Sequence, residues 1–240
     1  FLAENVSRLY VFWVLAAMTL IPVPFMFFVH EKKRTVEKRF DWSAFKAFNK
    51  RTFLAGLLGL LMFVIILGAN QLVNPFLEKQ FGISLSSAGM ITSLWSIGIV
   101  GGSLVGGWLM RQFQPRPALV IAVLLLSTAL LALAFLVTPQ FGLPLAITIV
   151  VFFGVAYGTY QTEYFAVAMR FVDPRIAASM YAILMAFTNI GQGIGMVLSG
   201  TLADLTGFSM TFVILFGVNL LILLILPLVF REKVASVESV

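Results

Sequence analysis

The sequence predicts an all-α membrane protein with seven transmembrane helices. Of its 240 residues, 60% are hydrophobic and only 11% are charged, whereas soluble domains are typically about 45–50% apolar. The apolar residues form runs that can cross a bilayer core of about 30 Å, which requires about 20 residues of helix. Pro75 favours an end of the second run near that residue. The predicted spans are approximately 9–29, 53–76, 87–109, 117–137, 143–167, 177–202 and 209–230.

The basic residues predict the orientation of the spans, because short cytoplasmic loops collect Lys and Arg. If the loop 30–52 is cytoplasmic, 14 of the 16 basic residues lie on that side and the carboxyl terminus is cytoplasmic. The net charge of +6 therefore reflects membrane topology and does not indicate a nucleic-acid partner. The residues on the predicted cytoplasmic side are Lys32, Lys33, Arg34, Lys38, Arg39, Lys46, Lys50, Arg51, Arg111, Arg116, Arg170, Arg175, Arg231 and Lys233.

Composition also excludes several classes of chemistry. Cysteine is absent from the sequence, which excludes disulfides, thiolate metal sites and cysteine nucleophiles. The only histidine, His30, lies in a basic stretch, where a solvated side chain is expected. We find no phosphate-binding glycine loop and no pairing of a nucleophile with a base, so we predict no enzyme activity, no metal and no cofactor.

The start of the chain suggests a division into four parts. The sequence begins at Phe1 without an initiator Met, so we expect residues 1–29 to be the last helix of an upstream half. Residues 30–52 form a basic linker, 53–230 a six-helix bundle and 231–240 a cytoplasmic tail. The linker combines aromatic and basic residues, which suit contact with anionic lipids, although a solvated tether explains them equally well.

Two stretches resemble the major facilitator superfamily. The segment GGSLVGGWLMRQFQPRPAL joins two spans and resembles that family's loop motif, in which a Gly-rich helix end leads into an acid, a base, a Gly and a basic pair. The segment GQGIGMVLSGTLADLTGFSMTF resembles the Gly-rich helix, short loop and final helix that close each half of such carriers. The loop residues that fit the motif are Gly106, Gly107, Phe113 and Arg116, and those that depart from it are Arg111, Gln112 and Gln114.

The resemblance implies the carboxyl-terminal half of a twelve-helix secondary transporter, preceded by one helix of the missing amino-terminal half. Such carriers move a small organic solute by alternating access, by symport or antiport, in the cell (inner) membrane. The segment DPRIAASMYAILMAFTNIGQGIG further resembles the carriers for muropeptides and acetyl-CoA. A proton gradient is the driving force we expect by default.

Three groups of polar residues inside the spans are candidate solute contacts. The alternative for each group is a hydrogen bond between helices, worth typically about 0.6 kcal/mol in membranes. Glycines at intervals of four on two spans are expected either to pack helices closely or to slide during transport. The candidate contacts are Asn70, Gln71 and Asn74 on the second span; Tyr157, Tyr160, Gln161 and Tyr164 on the fifth; and Asn189 and Gln192 on the sixth.

Glu163 is the ionisable residue placed well inside a span. It lies near the predicted cytoplasmic end of the fifth span, so we expect a gate contact with Arg111, Arg116 or Arg170. Proton coupling and a carboxylate that reaches the lipid headgroups are the alternatives.

Two other functions compete with the carrier. A seven-span receptor shares the predicted topology, although a retinal protein is excluded because no span contains a Lys for the Schiff base. A membrane scaffold that transports nothing is the second alternative.

Overall fold

A computed structural model gives the structure of residues 8–28 and 49–230. The chain divides into two compact units, Phe1–Trp42 and Ser43–Val240, which are described separately. Most of the predicted basic linker and the whole predicted tail lie outside the described residues, and so does the proposed lipid contact of residues 30–48.

The described part of the first unit contains α1, a 13-residue apolar helix at Arg8–Leu20. A four-residue helix follows at Val23–Met26. Pro22 and Pro24 lie at this break, and proline cannot donate the backbone hydrogen bond that would continue the first helix. The first predicted span is therefore present as a shorter apolar helix.

The described residues of the second unit, 49–230, contain six helices long and apolar enough to cross a membrane, which confirms the predicted all-α half bundle. Their ends lie within five residues of the predicted ends. The largest difference is at α2, which continues through Pro75 to Phe81. The helices are α2 (Lys50–Phe81), α3 (Leu85–Gln112), α4 (Pro115–Leu136), α5 (Gly142–Arg170), α6 (Ala177–Thr206) and α7 (Phe208–Val229).

Packing explains why α2 does not end at Pro75. The next residue, Phe76, is buried against two aromatic rings of α7, with centroids 5.6 Å from Phe208 and 5.4 Å from Phe212. These contacts offset the one backbone hydrogen bond that proline removes. The helix ends at Gly82, whose φ of 61° is a left-handed conformation that favours glycine.

The helices pair through glycines, which allow their backbones to approach closely. Helix α3 packs on α5, where a methyl group added to Gly98 would lie 2.9 Å from Gly154 Cα. Helix α6 packs on α2 in the same way, where a methyl group on Gly195 would lie 2.9 Å from Val64 Cα. The glycines predicted at intervals of four thus lie at helix contacts within the bundle.

Helices α3 and α6 bury the smallest shares of their apolar segments, 17% and 28%. Their mean hydropathy is also lower than that of α4 and α7. The exposed faces of α3 and α6 include Ser93, Ser96 and Asn189. These two helices are therefore less apolar as whole segments than α4 and α7, and much of their surface is not covered by other described helices.

One end of the bundle collects the basic residues. It is formed by the starts of α2 and α4 and the ends of α3 and α5, where Arg51, Arg116, Arg111 and Arg170 lie. The end of α7 lies at the same cavity as Arg51, Arg116 and Arg170. We call this the basic end, and it corresponds to the side predicted to be cytoplasmic.

Candidate functional site

The polar side chains inside the spanning helices form two groups, those with hydrogen-bond partners in the bundle and those without. The difference matters because a buried polar group without a partner is costly in a membrane. A carrier must keep some groups available for its solute, whereas a purely structural group is expected to have its partner in place.

Two of the predicted solute contacts have partners within the bundle. The Gln71 side-chain amide donates to the Met196 carbonyl oxygen and to Ser199 Oγ, the latter at 2.6 Å, and so joins α2 to α6. The Tyr160 hydroxyl donates to Asn219 Oδ1 at 2.7 Å and joins α5 to α7. For these two residues the structure supports the alternative of helix packing.

Other predicted residues have buried polar atoms without a hydrogen-bond partner. On α2 these atoms are Asn70 Oδ1 and Asn74 Oδ1, one helical turn apart. Because Pro75 has no N–H, the backbone carbonyl of Gln71 also lacks its usual helical partner. This part of α2 therefore offers several acceptors on neighbouring turns.

Trp95 on α3 belongs to the same group, although the sequence analysis did not select it. Its Nε1 is buried without a partner. Its ring packs edge to face on Tyr157 of α5, with 4.9 Å between ring centroids. Trp95 therefore supplies a hydrogen-bond donor beside Tyr157, which the sequence did predict as a solute contact. The sequence signal for Trp95 was a single tryptophan among the Ser and Gly residues of α3.

Tyr164 lies deeper, against α2. Its ring occupies the position that a side chain at Gly59 would need, and it also packs edge to face on Phe63 with 5.8 Å between centroids. The side chain is fully buried, and its Oη has no hydrogen-bond partner. A hydroxyl donor is thus held in a fixed position by apolar packing.

Glu163 is the central group of the site. Its side chain is 0% exposed, and neither carboxylate oxygen has a hydrogen-bond partner within residues 8–28 and 49–230. It lies seven residues before the end of α5, or about 10 Å of helix. An ionised carboxylate without a partner is costly to bury, so this arrangement requires a proton or a cationic partner.

The predicted gate contact is not formed in this structure. Arg111, Arg116 and Arg170 are exposed at the basic end, and the Glu163 oxygens have no partner among the described residues. The remaining predicted contacts are at least partly exposed. Gln161 and Gln192 are half-buried and Asn189 is exposed.

Asn219 is a second residue that the sequence analysis missed. It is fully buried, and its side-chain amide donates to the Val123 carbonyl oxygen at 2.9 Å and to Ser127 Oγ at 3.0 Å. The same criterion that selected Asn70, a polar residue inside an apolar span, selects Asn219. Its partners identify it as a structural residue that joins α4, α5 and α7.

A bundle of spanning helices with an acid, amides and aromatic donors buried between them is the architecture of a multi-pass membrane protein. The sequence profile of the Major Facilitator Superfamily matches residues 1–185, and the chain belongs to that superfamily. This confirms the resemblance of the loop and helix motifs. It also identifies the chain as a multi-pass integral membrane protein.

One curated relative extends over most of the chain. The chain is 25% identical over 227 residues to the uncharacterized MFS-type transporter YvkA of Bacillus subtilis (strain 168), an alignment that covers 94% of this chain. The chain spans about half, 49%, of that protein's length. The resemblance to muropeptide and acetyl-CoA carriers stays a prediction.

Proposed function

We propose that this chain is the carboxyl-terminal half of a secondary active transporter that moves a small organic solute by alternating access. The observation that carries the proposal is Glu163, a fully buried acid inside a spanning helix that has no hydrogen-bond partner among the residues the structure describes. Membership in a superfamily of transporters supports the same function. Ionisable groups inside membranes are rare because they are costly, so such a group is best explained by transport.

The solute site that we propose lies where buried polar atoms without partners are found on α2, α3 and α5. Asn70 and Asn74 offer acceptors, and Trp95 and Tyr164 offer donors. Tyr157 adds an aromatic surface beside Trp95. This set suits an organic solute with both donor and acceptor groups.

Gln161, Asn189 and Gln192 complete the proposed pathway. Gln161 and Gln192 are half-buried and Asn189 is exposed, and they lie on α5 and α6. Side-chain amides that are partly exposed on a spanning helix suit a water-filled passage better than contact with lipid. We assign them to the passage that leads solute to and from the site.

We further propose that Glu163 couples transport to protons. No described residue neutralises its charge, so we infer that the carboxyl group binds a proton when it is buried and releases it when it is exposed to water. A gate contact with Arg111, Arg116 or Arg170 would then form in another state of the cycle. That state requires helix ends at the basic end to move.

The exposed faces of α3 and α6 support pairing with an amino-terminal half. Both helices are less apolar as whole segments than α4 and α7, and they bury few of their residues in this chain. A pathway between two halves needs such faces. An antibody against the last ten residues should detect a polypeptide of about twice the mass of the 240-residue chain in source membranes. A product of the mass of this chain alone would contradict the pairing within one polypeptide.

The proposed location is the cell (inner) membrane, with the basic end and the carboxyl terminus in the cytoplasm. The distribution of Lys and Arg in short loops supports this orientation. Impermeant labels applied to sealed cells should therefore fail to reach the basic end.

Alternating access can be tested with single cysteines, because the chain has none of its own. Asn74→Cys and Gln161→Cys place one thiol towards each end of the proposed pathway, and unmodified protein is the blank. An impermeant maleimide is applied from each side of the membrane, with and without each solute of a library. A transported solute should raise labelling at one position and lower it at the other.

Gly217→Cys is the matched control, because Gly217 is exposed on α7, one of the two most apolar helices. Its thiol should remain unlabelled from either side. Labelling of both pathway positions from one side only, unaffected by any solute, would contradict the transporter and favour a receptor or a scaffold.

A further inference from the structure

The basic end contains a cavity that lies apart from the residues of the proposed solute site, although two of its arginines, Arg116 and Arg170, are also candidates for the gate contact. Its volume is about 850 Å³, and it opens between the start of α2, the start of α4, the end of α5 and the end of α7. It is lined by Arg51, Gln114, Pro115, Arg116, Arg170, Phe171, Pro227, Val229 and Phe230.

The charge of the cavity comes from its arginines. Arg51, Arg116 and Arg170 reach it from three different helices, and none of the described residues that line it is acidic. Two helix starts and two helix ends meet there, so their opposite partial charges largely offset each other. The guanidinium groups therefore set the preference for an anion.

Arginine suits one class of anion in particular. The planar guanidinium group forms paired hydrogen bonds with phosphate oxygens, and arginines near a membrane surface attract anionic headgroups. Because guanidinium groups from separate helices line one cavity, they can contact a single phosphate group together. Loosely associated counterions would not need such an arrangement.

The rest of the lining is apolar. Phe171 and Phe230 pack on each other with 6.3 Å between ring centroids, and Pro227 and Val229 continue this surface. A free phosphate ion needs no apolar wall. A phospholipid does need an apolar wall, because the glycerol and acyl carbons next to its phosphate are stabilised when they are removed from water.

We propose that this cavity binds the phosphodiester headgroup of an anionic membrane phospholipid. The phosphate contacts Arg116 and Arg170, and the carbons beyond it lie on Phe171 and Phe230. The site is distinct from the proposed solute site, since none of Asn74, Trp95 and Tyr164 lines this cavity.

Native mass spectrometry of the detergent-purified chain tests the proposal. The chain is titrated with phosphatidylglycerol and, separately, with phosphatidylcholine, and bound lipids are counted. Phosphatidylglycerol should bind more tightly, and Arg116→Gln with Arg170→Gln should weaken it about twentyfold. Arg111→Gln is the matched control, because Arg111 is exposed at the same end but does not line the cavity.

Two further measurements separate a lipid from a free phosphate. Inorganic phosphate at millimolar concentration should not displace phosphatidylglycerol, and Phe230→Ala should weaken lipid binding severalfold without loss of helicity by circular dichroism. Unchanged binding in the double arginine variant, or an equal loss in Arg111→Gln, would overturn the site. Displacement by inorganic phosphate would overturn the lipid as its occupant.

Discussion

Tyr160 and Asn219 form a buried hydrogen bond of 2.7 Å between α5 and α7. The side-chain amide of Asn219 extends this contact to Val123 and Ser127 on α4. All donors of the pair are used, and both side chains are fully buried. Together, Tyr160 and Asn219 therefore join α4, α5 and α7. The neighbouring tyrosines differ, because Tyr157 packs against α3 and Tyr164 packs against α2.

Tyr160→Phe should lower stability without changing solute affinity. The variant removes the hydroxyl and leaves Asn219 Oδ1 without a donor, which costs about 0.6–1.7 kcal/mol in membrane helices. Thermal unfolding in detergent measures the loss, and Tyr157→Phe is the control because no hydrogen bond of its hydroxyl is seen in the described residues. A drop in solute affinity at unchanged stability would return Tyr160 to the solute site.

Gly59→Ala should destabilise the pairing of α2 with α5. The added methyl group would overlap the ring of Tyr164, and overpacking of this kind costs about 1–3 kcal/mol. Gly101→Ala is the matched control, since no atom lies within 4 Å of its added methyl group. Tyr164→Leu should restore stability to Gly59→Ala, and equal melting temperatures for the two glycine variants would show that the contact is absent.

Asn74→Ala should weaken solute binding more than it lowers stability. Asn74 Oδ1 accepts no hydrogen bond from the described residues, so its removal should change the free energy of unfolding little. A bound solute would lose a hydrogen-bond acceptor, which weakens binding by about 0.5–1.5 kcal/mol. Gln71→Ala should do the reverse, because Gln71 is bonded to Ser199 across the helix contact. Binding of a transported solute and thermal unfolding are compared for both variants, and unaltered affinity in Asn74→Ala would remove this residue from the site.

Glu163 and Arg170 should act independently in the arrangement described here. The carboxylate oxygens of Glu163 have no hydrogen-bond partner in the described part of the chain, which includes Arg170, so the effects of Glu163→Gln and Arg170→Gln on unfolding should add to within about 0.5 kcal/mol. A larger interaction energy in the double-mutant cycle would show that the two side chains pair in the dominant state.

Hydrophobic runs were sufficient to predict the six spanning helices, because bilayer thickness sets the length of each run. The end of α2 was predicted less well. Pro75 signals a break in sequence, but the burial of Phe76 against Phe208 and Phe212 is a tertiary contact that one run cannot reveal.

At the site, too, tertiary contacts decide which polar residues have partners, and these contacts are not visible in the sequence of a single span. Asn70, Gln71 and Asn74 look alike in sequence, yet only the position of Ser199 on α6 separates the bonded Gln71 from its neighbours. Trp95 was missed because a single tryptophan in a span is usually part of the apolar surface. Its unpartnered Nε1 becomes visible only when α3 is packed on α5.

The most direct test of the account is solute-driven proton movement through Glu163. The polypeptide isolated from its own membranes is placed in liposomes that contain a pH-sensitive dye, and solutes of a library are added outside. We predict that a transported solute changes the internal pH with the native protein, and that Glu163→Gln abolishes this change while solute exchange at equal pH persists. Proton movement that is unchanged in Glu163→Gln would contradict the role of Glu163 in coupling.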